Sequence, residues 1–510
     1  MPNDKVDKVQ GKQLSTNDFT DDDKDIISYL KQFKDSFYIT DSNGYVLFQA
    51  NRNGINYVGK NSGGGDSPIV DDGYKQSDIV YNMYYGRSLS YHGTCATEDS
   101  RYTNLAFRLS SYGTPESMLL NVTSDIIDNQ TAMDNLFLGF REAPASNNII
   151  LANRALTMFL KQQNGIDDEW KDEEDLEPNY QYQFLGCNPG EVATWGELAD
   201  SDGLYYKRLL ASVRYAKQFA DEMGRTFSVG CICYAQAEDT YSGAIPKQRY
   251  DCVWVLASKL NVDIKAITGQ TDDIFFITYQ VASYDSHLYI NNAYGDLAIW
   301  LNDEVAPVDY VLDETAATKM PADYPLINRK QIQAGPIMCA LDYRAVTSGG
   351  DDHIHATQGS YHAMAAQYAI QMKACMYDQK PLKPIHVESY TITPWNNKYI
   401  VRLKMYVPVK PLVVDTEHRN LYSARATSPN LGFTMLNGSN VDIIESVEVV
   451  RGEEIKIITT ENPSGKTLHY AKDGWEHGGN IRDSRDIVYN DSTIGDYYMY
   501  NWCPIFKLDL

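Results

Sequence analysis

Between residues 78 and 384, short apolar runs alternate with longer helical patterns, and this rhythm limits the folds open to the chain. "DIVYNMYYG", "QYQFLG", "FSVGCICYAQ", "DIFFITYQVAS" and "GPIMCALDY" are each a few residues long and end in glycine or polar residues. Continuous rather than alternating hydrophobicity marks strands covered on both faces. Over 203–224, Tyr205, Leu209, Val213, Ala216 and Ala220 recur at helical spacing, and Gly224 follows as a stop. Over 360–372, Tyr361, Met364, Ala365, Tyr368, Ala369 and Met372 do the same, with Ser360 available as N-cap. Strands alternating with helices predict a parallel α/β sheet with crossover helices.

The flanks differ in texture. Residues 1–77 are polar and turn-rich, with a short helical candidate at 25–33 and a strand pair expected around the Ser-Asn-Gly turn of "FYITDSNGYVLFQANRNGINYVG". Residues 385–510 alternate at period two, as in "YIVRLKMYVPV" and "IIESVEVVRGEEIKIIT", which predicts an antiparallel β-sandwich. The expected organisation is therefore a small N-terminal segment (1–77), an α/β domain (78–384) and a β-sandwich (385–510). Residues 96–180 read as an insertion of loops with one helix at 153–163.

Charge narrows the partners. A formal net charge of −23 repels phosphate backbones, and no basic stripe offsets it, so nucleic-acid binding is not expected. The 38 tyrosines suit strands and sugar-facing surfaces. Eight scattered cysteines lack a C-x-x-C pair and predict reduced, buried thiols. The nine histidines complete no ligand set at a known spacing, and there is no P-loop or dinucleotide fingerprint, so neither metal nor cofactor is expected. No apolar leader and no membrane-spanning run is seen.

In a parallel sheet, functional loops gather at the carboxyl ends of the strands. "GRSLS" (86–90), "GCNPGE" (186–191) and "YAQAED" (234–239) follow the first three apolar runs, and "DDHIH" (351–355) precedes the last helix. Taken singly, each has an ordinary explanation: a turn serine, a loop-capping amide, a solvated helix entrance. Together and in this order, with "GLYYKRLLASVRYAKQFADEMG" between the second and third, they resemble the SGNH (GDSL-like) hydrolases, in particular the sialate O-acetylesterase-like branch common in bacteriophage genomes. "LHYAKDGWEHGGNIRDS" (468–484) and the closing "NW" (501–502) resemble the region appended to phage members, and "DKVQGKQLSTNDFTDDDK" resembles a motif of phage tail-fibre and tailspike proteins.

The resemblance implies a flavodoxin-like parallel sheet and a cofactor-free serine esterase. Ser88 would be the nucleophile, His355 the base that activates it, and Asp352 the residue that orients His355. The N–H groups of Ser88 and Gly190 and the side-chain amide of Gln236 match the family's oxyanion donors. Glu238 and Asp239 would brace the third loop. Asp351, His353 and Ser90 are neighbouring alternatives, and Gly186 is an alternative to Gly190. Three positions depart from the pattern: Arg87 stands where the family often has Gln or Asp, Ala237 replaces a glycine, and Glu191 interrupts a glycine-rich stretch.

The implied activity is removal of acetyl groups from a bacterial surface polysaccharide by a virion tail component made in the host cytoplasm. Other tail proteins would be its partners, and a homotrimer is expected by analogy with tail fibres. The alternative is a catalytically degenerate glycan-binding adhesin, or a structural tail protein on the same scaffold. A lipid or simple-ester hydrolase of the same class is a further rival, which would show an exposed apolar cleft.

Overall fold

The computed structural model describes residues 77–86, 104–110, 119–120, 122–143, 148–163, 183–191, 193–235, 246–280, 310–337, 356–416, 429–471, 479–491 and 495–510, with three strands before them. The chain forms two compact units, Met1–Asp71 and Asp72–Leu510. In the first, β1 (Phe37–Thr40), β2 (Val46–Asn51) and β3 (Gly54–Tyr57) make an antiparallel sheet, with Tyr38 opposite Gln49 and Gln49 opposite Asn56. The expected strand pair is present and gains a third member. The helical candidate at 25–33 lies outside the described residues.

The second unit is built on a seven-stranded sheet among the described residues. Its strands are β4 (Ile79–Gly86), β5 (Asn104–Leu109), β6 (Phe137–Ala143), β7 (Gln183–Cys187), β8 (Phe227–Ala235), β9 (Phe275–Gln280) and β10 (Ile332–Ile337), in the order β10-β9-β8-β4-β7-β5-β6. All neighbours run parallel except β6, which is antiparallel to β5. The run β7-β4-β8-β9-β10 is the 2-1-3-4-5 order of flavodoxin-like sheets, whose switch point lies between the first and third strands, here β4 and β8.

Among the described residues, four long helices cover the sheet: α1 (Asn148–Gln163), α2 (Leu204–Glu222), α3 (Pro246–Thr268) and α4 (Gln358–Met376). Alternate side chains of β4 assign the faces. Asn82 donates to Asn153 Oδ1 of α1 (2.9 Å), and Tyr84 meets Tyr368 of α4 edge-on at 5.1 Å. On the other face, Tyr81 donates to Ser212 Oγ of α2 (2.9 Å) and Tyr85 to the Leu198 carbonyl (2.8 Å). Helices α1 and α4 pack together on the first face, and α2 packs on α3 on the second. Every residue of β4 is buried, which explains its continuous apolar reading.

Three expectations are corrected by the packing. The segment 96–180 is more than loops and a helix. It contributes β5 and β6 to the sheet, and Phe137 stacks on Tyr215 of α2 at 4.5 Å. These outer strands carry polar residues among their apolar ones and lack the continuous apolar signature of the centre. The N-cap of α4 is Thr357, whose side chain accepts from the Ser360 N–H; Ser360 lies inside the first turn. The last parallel strand also begins earlier than "GPIMCALDY", at Ile332, after a turn capped by Asn328.

Beyond residue 385 the sheets are antiparallel. β11 (His386–Trp395), β12 (Lys398–Tyr406), β13 (Ile444–Val450) and β14 (Glu454–Thr459) form one sheet in the order β11-β12-β14-β13. Both of its hairpins turn on two residues with positive φ, Asn396–Asn397 and Arg451–Gly452, the turn chemistry that suits the right-handed twist of paired strands. Val401, Leu403, Ile455 and Ile457 are buried at alternate positions, as the period-two pattern requires. Smaller sheets pair residues 413–414 with 481–482, 467–470 with 433–434 on one side and 506–509 on the other, and 488–491 with 495–498.

The "GNIRDS" stretch (479–484) is a polar pin within this region. Arg482 pairs with buried Asp415 (2.5 Å) and lies 3.6 Å over the Tyr500 ring. Buried Asp483 accepts from Asn501 Nδ2 and from the Val409 and Arg485 N–H groups. A Cβ on Gly479 would fall 2.0 Å from the Tyr470 ring, so only glycine fits there. The chain end is clasped to the central sheet: the Gln280 amide at the end of β9 donates to the Ile505 carbonyl and accepts from its N–H, both at 3.0 Å.

Candidate active site

The candidate residues belong to loops leaving β4, β7 and β8 and to the approach to α4. Ser88, Gln236, Asp352 and His355 lie outside the described residues, as do Arg87, Ser90, Ala237, Glu238, Asp239, Asp351 and His353. Gly190, Glu191 and the stems of the four loops are described.

Three stems meet in van der Waals contact. At the switch point, a Cβ added to Gly86 would lie 2.0 Å from the Ala235 carbonyl oxygen, so the ends of β4 and β8 touch backbone to backbone. A Cβ on Gly190 would lie 2.6 Å from the Gly86 oxygen and 2.8 Å from its nitrogen. Glycine is needed at both positions for close approach rather than for φ, since neither has positive φ. The end of β4, two residues before Ser88 in sequence, the end of β8, one residue before Gln236, and the Gly190 turn therefore lie together at one spot on the carboxyl edge.

Helix α4 places the residues that follow the fourth block in sequence. Met376 reaches the position of Gly230, Met372 contacts Cys233, and Tyr368 donates to the Tyr234 carbonyl at 3.0 Å, so the helix runs antiparallel to β8. Tyr368 already sits one residue from the end of β8. The eleven residues from it back to Thr357 rise by about 16 Å, which carries the helix N-terminus past the carboxyl edge of the sheet. Ala356, the residue after His355, is fully buried there.

The turn after β7 is held from several sides. Asn188, fully buried, accepts the Gly190 N–H on Oδ1 at 3.0 Å, and its carbonyl accepts from the Leu119 N–H at 3.2 Å. Glu191 pairs at 3.2 Å with Arg208 of α2, whose side chain is 1% exposed. The same guanidinium donates through Nε to the Val122 carbonyl at 3.1 Å and lies 5.4 Å over the Tyr205 ring. Burial pushes the Tyr85 hydroxyl well above its ordinary range and the Cys187 thiol up to about 12, with the Arg208 charge opposing both shifts. Gly186, the alternative to Gly190, lies within β7 opposite Asn82, and a Cβ there would meet Ile150 at 2.6 Å.

Sequence reasoning missed Asn188 and Arg208. The first stood inside a quoted block without a role, and the second is a charged residue that the helical pattern assigned no position. Among the described residues there is no cluster of His, Cys, Asp or Glu able to hold a metal ion, and no helix is long and apolar enough to cross a membrane. Cys187, Cys231, Cys233, Cys252, Cys375 and Cys503 are buried thiols held in no disulfide; Cys95 and Cys339 lie outside the described residues.

The chain is thus an α/β protein of flavodoxin-like strand order, with antiparallel sheets towards its C-terminus and a candidate site at the carboxyl edge beside the switch point. Among solved structures it is similar to a carbohydrate acetylesterase from Xanthomonas citri, with 9% identity, 84% of this chain and 80% of that chain covered, and a TM-score of 0.43. It is similar to NanS, with 10% identity, 59% and 99% covered, and a TM-score of 0.31. A protein from Arabidopsis thaliana is similar at 10% identity, 58% and 98% covered, and a TM-score of 0.29. No family model matches the chain, and no curated protein matches it.

Proposed function

We propose that the chain is a serine esterase that removes acetyl groups from a bacterial surface polysaccharide. The observation that carries this reading is the contact of Gly86, Ala235 and Gly190, which gathers the stems of three candidate loops at the switch point. Ser88 Oγ attacks the acetyl carbonyl while His355 takes its proton, with Asp352 fixing the imidazole tautomer. The Ser88 and Gly190 N–H groups and the Gln236 amide receive the oxyanion. The sugar hydroxyl departs with the proton from His355, and water then attacks the acetyl-serine by the same route to release acetate. The Gly190 N–H, bonded to Asn188 Oδ1 at rest, is shared with the oxyanion in a three-centre arrangement.

The chain would act as a tail component of a bacteriophage virion, attached through its N-terminal unit, assembled as a trimer and in contact with other tail proteins. This part rests on the resemblance of "DKVQGKQLSTNDFTDDDK" to tail-fibre motifs and on the separateness of Met1–Asp71. Light scattering on the full chain checks the trimer; a monomer at micromolar concentration would count against it.

The test of the activity is acetate release from acetylated glycans and an aryl acetate, wild type against Ser88→Ala and His355→Ala at matched folding. Both variants are expected to lose turnover, while Gln236→Ala retains a residue of activity because two backbone donors persist. A second reading, a glycan-binding adhesin on the same scaffold, is favoured by the commitment of the Gly190 N–H to Asn188. It requires glycan binding without acetate release from wild type, and binding that survives Ser88→Ala.

A further inference from the structure

We infer that Arg208, acting through Glu191, is a positioning residue for the Gly190 turn; the inference rests on the esterase reading above. An oxyanion donor works only if its N–H is aimed before charge develops, and a backbone donor has no side chain of its own to hold it. The Gly190 turn is gripped on each flank. Upstream, Asn188 bonds the Gly190 N–H through its side chain and Leu119 through its carbonyl. Downstream, Glu191 is tied to Arg208.

Arg208 is suited to this task. Its guanidinium spends Nε on the Val122 carbonyl and Nη1 on Glu191, so one rigid fork joins α2, the 119–122 segment and the turn after β7. Lysine has no such fork. The side chain is 1% exposed in a chain of net charge −23, whereas Glu191 is 37% exposed, so the pair sits at the rim with the cation beneath. An arginine serving the surface alone would keep its charge in water. The Gly190 backbone is pressed on Gly86 at the same time, which leaves the turn no slack on its third side.

The departure at Glu191 acquires a purpose: the residue that interrupts the glycine-rich stretch is the handle by which the turn is held. A misplacement of about 1 Å at a reacting group costs on the order of 100-fold in rate. Loss of the tie should therefore appear in kcat, since substrate contacts are untouched.

The experiment compares wild type, Glu191→Gln, Arg208→Lys and Arg208→Met. It measures kcat and KM for an aryl acetate, the rate of labelling by a fluorophosphonate, and thermal stability. Glu191→Gln alters a rim residue and should fold. It is expected to lose about 10- to 100-fold in kcat with KM within about twofold, and labelling should slow in parallel, because the phosphonyl oxygen uses the same donors. Arg208→Lys should recover part of what Arg208→Met loses. Wild-type kcat and labelling in Glu191→Gln would overturn the inference, as would a lowered melting temperature with unchanged kcat per folded molecule. If wild type neither hydrolyses esters nor is labelled, the esterase reading fails and this inference with it; if it does both, the variants alone decide.

Discussion

Gly190 rests directly on the backbone of Gly86, with room for no more than a hydrogen between them. The first residue belongs to the turn after β7 and the second ends β4, so this contact sets how closely the turn that holds an expected oxyanion donor approaches the end of the strand that precedes the expected nucleophile. Gly190→Ala must push the two apart by several tenths of an ångström. The expected result is a fall in kcat of about 100-fold with a folded protein. Esterase kinetics alongside circular dichroism check it; near-normal kcat would show that the contact does not set the geometry.

Gly86→Ala should behave differently. Its added methyl would meet the Ala235 carbonyl at 2.0 Å in the middle of the sheet, where neither strand can yield alone. We expect a loss of stability of about 3 kcal/mol or more, through separation of the ends of β4 and β8. Urea unfolding of the variant measures this, and a midpoint close to wild type would contradict the packing described.

Asp483 should matter for stability and not for chemistry. It is fully buried and is the acceptor for Asn501 Nδ2 and two backbone N–H groups. Asp483→Ala removes that acceptor and is expected to cost about 3 kcal/mol, and Asp483→Asn less, since one oxygen remains. Calorimetry reads the difference. Unchanged kcat per folded molecule is the accompanying expectation.

Alkaline pH should weaken the fold through its buried thiols. Burial pushes Cys187 up to about 12, opposed by the Tyr81 hydroxyl and the Arg208 charge, whereas an unfolded thiol ionises near about 8.5. The folded value is the higher one, so the stability from this group is complete below about pH 8.5 and is lost as pH rises towards 12. The slope is at most about 1.4 kcal/mol per pH unit per thiol. Cys233 and Cys375, also raised by burial, add to it. Urea midpoints between pH 8 and 10.5 should fall, and Cys187→Ala should flatten the curve.

How far residues can be read from their order depends on where their partners lie. The continuous apolar runs of β4 and β8 announced central parallel strands because burial on both faces leaves no polar alternation. Helix α2 was readable for a related reason, though packing seals Tyr206, with Tyr205 only half-buried. The paired asparagines at 396–397 fit a tight hairpin by backbone sterics alone. Strands β5 and β6 were not legible: β6 is the edge strand and β5 its inner neighbour, and polar residues in both blur the strand pattern.

The sequence by itself determined the alternation of strands and helices and the antiparallel region after residue 385, because these follow from local periodicity and residue type, whereas the chemistry expected of the four blocks came from their resemblance to a known family. Only the tertiary structure decided that β4 lies between β7 and β8, that Gly190 rather than Gly186 stands at the sheet edge, and that a buried arginine 17 residues from Glu191 in sequence holds the turn. Those relationships arise from contacts between distant segments, formed when strands take their places in the sheet, and no local pattern encodes them.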